Sequence, residues 1–229
     1  AMRATRNRIM LMRLRVARIA EVMARAPADT ATWLSPSERE RCARLHVATR
    51  RDQFLAGRWL AREVVAEHGG GDAADWILQE RRGQPPAVIG GASVPLLSLS
   101  HSGDWIAVAS ADEPVGIDLE QRRPRDALHR FEPLLLAIGE AEGVLDTDTL
   151  LQRWVAKEAW IKRDHGSALP ERLAALALRR APASEVDVHL LSTSAFHLGI
   201  ATSAVPWHVD LPLPVLANEG WQVQDLDRT

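Results

Sequence analysis

Apolar and polar positions alternate with period two in several short stretches of this chain, the mark of strands with one buried face. Met10, Met12, Leu14 and Val16 alternate with Leu11, Arg13 and Arg15 and predict a first strand. "SPSE" (35–38) then opens a helix: Ser35 caps, Pro36 suits the first helical position and Glu38 completes a capping box. That helix is predicted over 36–46 and a second over 49–68, where Phe54, Leu55, Trp59, Leu60 and Val64 recur at helical spacing before "HGGGDAAD" ends it. "WILQE" (76–80), "LLSLS" (96–100), "WIAVAS" (105–110) and "PVGIDLE" (114–120) read as strands, and "RRGQPPAVIGG" (81–91) as loop. "LLLAIGEAEGVL" (134–145) and "TDTLLQRWVAKEAWIKRDHG" (147–166) read as helices. "LAALALRR", "EVDVHLL", "FHLGIATS" and "WQVQDL" follow as strands.

The order is strand, helices, strands, and then the same again. It predicts an α/β (α+β) fold of two similar lobes, 1–112 and 113–229, divided near "ADEP" (111–114) with a cleft between them. The 229 residues, 46% apolar and 25% charged, are those of an ordinary globular protein. No apolar run approaches the roughly 20 residues that span a bilayer, so no membrane partner is expected. One cysteine, Cys42, rules out an internal disulfide and suits the cytoplasm. A net charge of −2 argues against bulk nucleic-acid binding. The basic first twenty residues read as a strand, not a transit peptide, because of their alternation.

Asp118 and Glu120 fall on the same face of one predicted strand, where like charges repel. With Glu158 from the last long helix they make a hard-oxygen set suited to Mg²⁺ or Mn²⁺. The competing reading is plain: solvated strand-end acids beside "QRRPR", with Glu158 paired to Lys162 at i,i+4. On spacing alone the two stand level. "SLSHSGDW" (98–105) offers backbone N–H groups and one imidazole, His101, to an anion. Arg41, Arg44, Arg50, Arg51, Arg58, Arg62, Arg81 and Arg82 are a reservoir of phosphate contacts, although most read as solvated helix faces. There is no Walker loop, zinc-type cluster or nucleophile elbow.

"SLSHSGDW", "VGIDLE" and "WVAKEAWIK", in that order, resemble the three signatures of the 4′-phosphopantetheinyl transferases, in particular the larger, monomeric, surfactin-synthetase-activating type. "SPSERERCAR" resembles the family's first helix and "GQP" (83–85) its Gly-x-Pro loop, so the likeness covers about residues 35–170. The resemblance implies a pseudo-twofold fold with coenzyme A and a metal between the halves. Asp118, Glu120 and Glu158 would be the metal carboxylates, which would answer the repulsion on the strand. Arg41 and His101 would contact the ribose 3′-phosphate, and backbone around Gly83, Gln84 and Ser100 would hold the adenine. Lys162 would reach the pyrophosphate, where Asp118 also lies, and Glu158 would take the proton of a serine hydroxyl on an apo acyl or peptidyl carrier protein.

Two family phosphate contacts are lost: Gln84 stands where many members have Lys, and Glu38 where they have a basic residue. Arg81, Arg82 or Arg51 are the expected substitutes. "KRDHGSAL" departs from the family's glycine-rich ending, with Ala168 for its second Gly. The alternatives are a catalytically silent carrier-protein or nucleotide-binding module of the same fold, or a two-carboxylate hydrolase.

Overall fold

The computed structural model describes residues 11–90, 94–123, 126–140, 144–164 and 170–228. Met10, the other residues before it and "HGSAL" (165–169) lie outside them. The elements in order are β1 (Met12–Arg18), α1 (Ile19–Arg25), α2 (Pro36–Ala43), α3 (Ala48–Gly69), β2 (Ile77–Arg81), β3 (Gln84–Ile89), β4 (Leu96–Ser102), β5 (Trp105–Ala111) and β6 (Val115–Gln121). They continue with α4 (Glu132–Leu135), α5 (Thr147–Arg163), α6 (Pro170–Ala174), β7 (Leu176–Arg180), β8 (Val188–Ser192), β9 (Phe196–Thr202), β10 (Trp207–Asp210) and β11 (Ala217–Asp225). The fold is α+β, as the alternation predicted. No helix among the described residues is long and apolar enough to cross a membrane.

Four strands form one sheet in the order β10-β1-β5-β4 and five form another in the order β6-β9-β8-β11-β7. The alternation of each strand decides what its faces cover. Met12, Leu14, Val16, Trp105, Ala107 and Ala109 of the first sheet meet Val115, Ile117, Leu119, Phe196, Leu198 and Ile200 of the second in one core. The opposite face of the first sheet, including Leu97, Ile106 and Val108, packs on the apolar stripe of α3. The opposite face of the second packs on Val155, Ala156 and Ala159 of α5. Helix, sheet, sheet and helix therefore stack in layers. β10, a strand with no clear sequence signal, pairs in parallel with β1 and carries a piece of the second half into the first sheet.

The capping box at Ser35 and Glu38 is present as read, and Gly70, at φ 82°, ends α3. Three readings change. The stretch 81–91 is not all loop, because Gln84–Ile89 pairs antiparallel with β2. Its two prolines are tolerated because this ribbon of two strands leaves β3 an open edge. The helix expected over 134–145 shrinks to α4, with Leu136 already extended and Gly139 at φ 76°. The strand expected at 173–180 begins only at Leu176, after the short α6.

Candidate active site

β6 presents Gly116, Asp118 and Glu120 to α5, and its register on β9 sets Gly199 opposite Asp118. These two glycines allow the helix to lie on the strand. A Cβ at Gly116 would run into the carbonyl oxygen of Ala159 and the amide nitrogen of Arg163, and one at Gly199 would crowd Val155 and Ala159. Because α5 sits so close, Glu158, just before Ala159, and Lys162, one turn further on, reach the strand acids. Lys162 Nζ donates to Asp118 Oδ1 at 2.6 Å and lies 3.8 Å from Glu158 Oε2.

The electrostatics follow from burial. Asp118 is 4% exposed, and its Oδ2 is buried with no hydrogen-bond partner. Burial pushes the Glu158 carboxyl up to about 7; Lys162 opposes this, while Asp118 and Glu120 add to it. Burial would lower the Lys162 ammonium, but Asp118 and Glu158 outweigh it and the net shift is upward. Lys162 thus pairs with Asp118 and Glu158 and feels the charge of Glu120. Among the described residues no group of three His, Cys, Asp or Glu side chains stands ready to hold a metal ion, and Lys162 occupies Asp118 Oδ1. The donors are nonetheless hard oxygens, and the unpartnered Oδ2 is a buried acceptor that a cation would satisfy.

His101 turns away from these acids, toward α3. It lines a cavity of about 230 Å³ with Arg41, Arg50, Phe54, Arg58 and Ser100. Burial lowers its pKa, and Arg50 and Lys162 lower it further. Arg41 pairs with Glu80 of β2, as does Arg58, whose Nε donates to Glu80 Oε1 at 2.6 Å. Arg41 and His101 are therefore brought to one cavity. Gly83, at φ 69° in the β2–β3 turn, and Gln84 are not among its lining residues.

No family model matches the chain. Individual relatives do. It is 32% identical over 155 residues to the 4′-phosphopantetheinyl transferase AcpT of Escherichia coli (strain K12), covering 64% of this chain and 73% of that one. The chain belongs to the 4′-phosphopantetheinyl transferase family. The 4′-phosphopantetheinyl transferase Sfp of Bacillus subtilis (strain 168) is 27% identical over 168 residues, 69% of this chain and 72% of Sfp. AcpT of Salmonella typhimurium is 34% identical over 119 residues, 48% of this chain and 59% of that one.

Several contacts of this phosphopantetheinyl transferase escape its motifs. Glu38, which stands where a basic residue was expected, is fully buried and accepts from Arg62 Nη1 at 3.0 Å and Nη2 at 2.6 Å. It is an internal counterion, so the lost cation has a structural reason. Two of the three expected substitutes lie elsewhere: Arg81 Nε donates to Pro85 O within the hairpin, and Arg51 lines a neighbouring hollow with Cys42 and His46. The cations added at the His101 cavity are Arg50 and Arg58. Lys157, inside the last motif, is fully buried and donates to Leu135 O at 2.6 Å, Leu173 O at 3.0 Å and the Glu140 carboxylate. It clamps the short α4 region and α6 to α5. A glycine inside a strand was the available signal for the close helix approach; nothing in the sequence singled out Glu80 or Glu140.

Proposed function

We propose that this enzyme transfers the 4′-phosphopantetheine group of coenzyme A to a serine hydroxyl of an apo acyl or peptidyl carrier protein, releasing 3′,5′-ADP. The observation that carries this reading is the meeting of Asp118, Glu158 and Lys162 across Gly116, in a family of phosphopantetheinyl transferases. Asp118, Glu120 and Glu158 would hold Mg²⁺ or Mn²⁺. Bound there, the metal supplies charge neutralisation for the pyrophosphate oxygens.

The chain's own groups do the rest. Residues 1–112 carry the cofactor contacts: Arg41 and His101, with Arg50 and Arg58 in the same cavity, take the 3′-phosphate, and backbone at Gly83, Gln84 and Ser100 takes the adenine. Residues 113–229 carry the chemistry. The carrier serine oxygen attacks the β-phosphorus, the bond to the 3′,5′-ADP oxygen breaks, and Glu158 takes the serine proton. Lys162 holds positive charge beside the phosphoryl group as it moves. The enzyme acts as a cytoplasmic monomer.

The test is stoichiometric. With coenzyme A, Mg²⁺ and an apo carrier, one 3′,5′-ADP should appear per carrier modified, and none with a carrier whose target serine is alanine. Release of 3′,5′-ADP irrespective of that serine would replace transfer with hydrolysis.

A further inference from the structure

Side chains of β4 alternate between two tasks. Leu97 and Leu99 pack toward α3 and His101 lines the cavity there. Ser98, Ser100 and Ser102 point the other way, onto β6, and each is at least nine-tenths buried. β4 and β6 belong to different sheets, so the serines stand where a backbone ladder would otherwise join them. Ile117 N donates to Ser98 Oγ at 3.0 Å and Leu119 N to Ser100 Oγ at 3.1 Å. Ser100 Oγ then donates to Asp118 Oδ1 at 2.8 Å, and Ser102 Oγ to Glu120 Oε2.

A serine hydroxyl has one proton, and accepting from a backbone N–H leaves that proton to be aimed elsewhere. Ser100 is therefore locked by its two bonds into donating to Asp118. Donation to one carboxylate oxygen fixes the rotation of the group and so decides where its other oxygen points. Among the described residues Ser98 Oγ meets a backbone amide and no carboxylate, which makes it an internal control.

We propose that Ser100 and Ser102 are positioning residues that orient the Asp118 and Glu120 side chains toward a hard divalent cation, and that β4 thereby ties the cation site to His101 at the anion cavity. This rests on the reading of Asp118, Glu120 and Glu158 as cation ligands. Removing a hydrogen-bond partner of a metal-ligating carboxylate typically weakens the metal by about 10–100-fold.

The experiment is Mn²⁺ titration of the full chain, read by loss of the free-ion paramagnetic resonance signal, with coenzyme A affinity measured separately without metal. Ser102→Ala should bind Mn²⁺ about 10–100-fold more weakly with coenzyme A affinity unchanged, and Ser102→Thr, which restores the hydroxyl, should recover it. Ser98→Ala should melt at lower temperature yet bind Mn²⁺ as the wild type does. If Ser102→Ala does not fold, Ser102→Cys against Ser102→Thr carries the comparison, because a thiol is a weak donor of similar bulk. The proposal is overturned if the variants without a hydroxyl at 102 bind Mn²⁺ as tightly as the wild type, or if Ser98→Ala loses as much affinity as they do. A wild type that binds no Mn²⁺ would instead overturn the cation reading beneath it.

Discussion

Gly116 lies directly beneath the backbone of α5 at Ala159, with no room for a Cβ between strand and helix. The contact sets the distance from the strand acids to Glu158 and Lys162. Gly116→Ala should therefore lift the helix, at a cost of about 1–3 kcal/mol or more in stability. Its transfer rate should fall further than the melting temperature explains, because Lys162 no longer reaches Asp118. A variant that transfers at the wild-type rate would show that the helix position does not matter.

Arg41 and His101 face one cavity from different elements. Arg41→Ala and His101→Ala should each weaken coenzyme A more than 3′-dephospho-coenzyme A, by about 1.5–3 kcal/mol for a lost charge-assisted contact. Calorimetry on the two ligands measures the difference directly. Equal weakening of both would assign the cavity to some other part of the cofactor.

Lys157 and Glu140 form an ion pair with both side chains fully buried. Lys157→Ala leaves Glu140 with Arg153 as its counterion and should cost up to about 3–5 kcal/mol, whereas replacing both Lys157 and Glu140 by apolar residues of similar volume should recover part of it, Arg153 then losing its partner. Denaturant melts of the two variants make the comparison. Since Lys157 spends its hydrogen bonds on Leu135, Leu173 and Glu140, the folded fraction of the single variant should keep its turnover.

Glu158 titrates near 7 in the fold against 4.5 as its ordinary value. Between those pH values the unfolded chain has lost the proton that the folded chain retains, so the metal-free protein should lose stability as pH rises through the window. Glu158→Gln removes this dependence. The two should be similarly stable near pH 4, and the variant should be favoured by on the order of 3 kcal/mol at pH 8. Parallel melts in chelator across that range check it; a constant gap would mean that Glu158 is ionised throughout.

Much of the fold was legible because alternation and helical spacing were unambiguous at β1, α3, β4–β6 and α5. The acid strand and its helix partner were legible as motifs, and their meeting in space followed. What stayed hidden depended on tertiary context. β10 is a four-residue strand that exists because β1 offers it an edge. β3 carries two prolines that a ribbon edge accepts. The stretch after Leu135 looked helical by composition, yet Glu140 turns inward to neutralise Lys157 and Arg153. The pairing of Glu80 with Arg41 and Arg58 joins residues far apart in sequence, with no local pattern to announce it.

The central claim is that Glu158, brought to Asp118 and Lys162, handles the proton of an attacking serine. Its most direct test is the intact mass of a carrier protein followed over time with coenzyme A and saturating Mg²⁺, using wild type and Glu158→Gln. The wild type should add one phosphopantetheine group per carrier, and the variant should do so about 10²–10⁴-fold more slowly while remaining folded. A carrier modified at the same rate by both would contradict the claim and leave Glu158 as a helix salt bridge to Lys162.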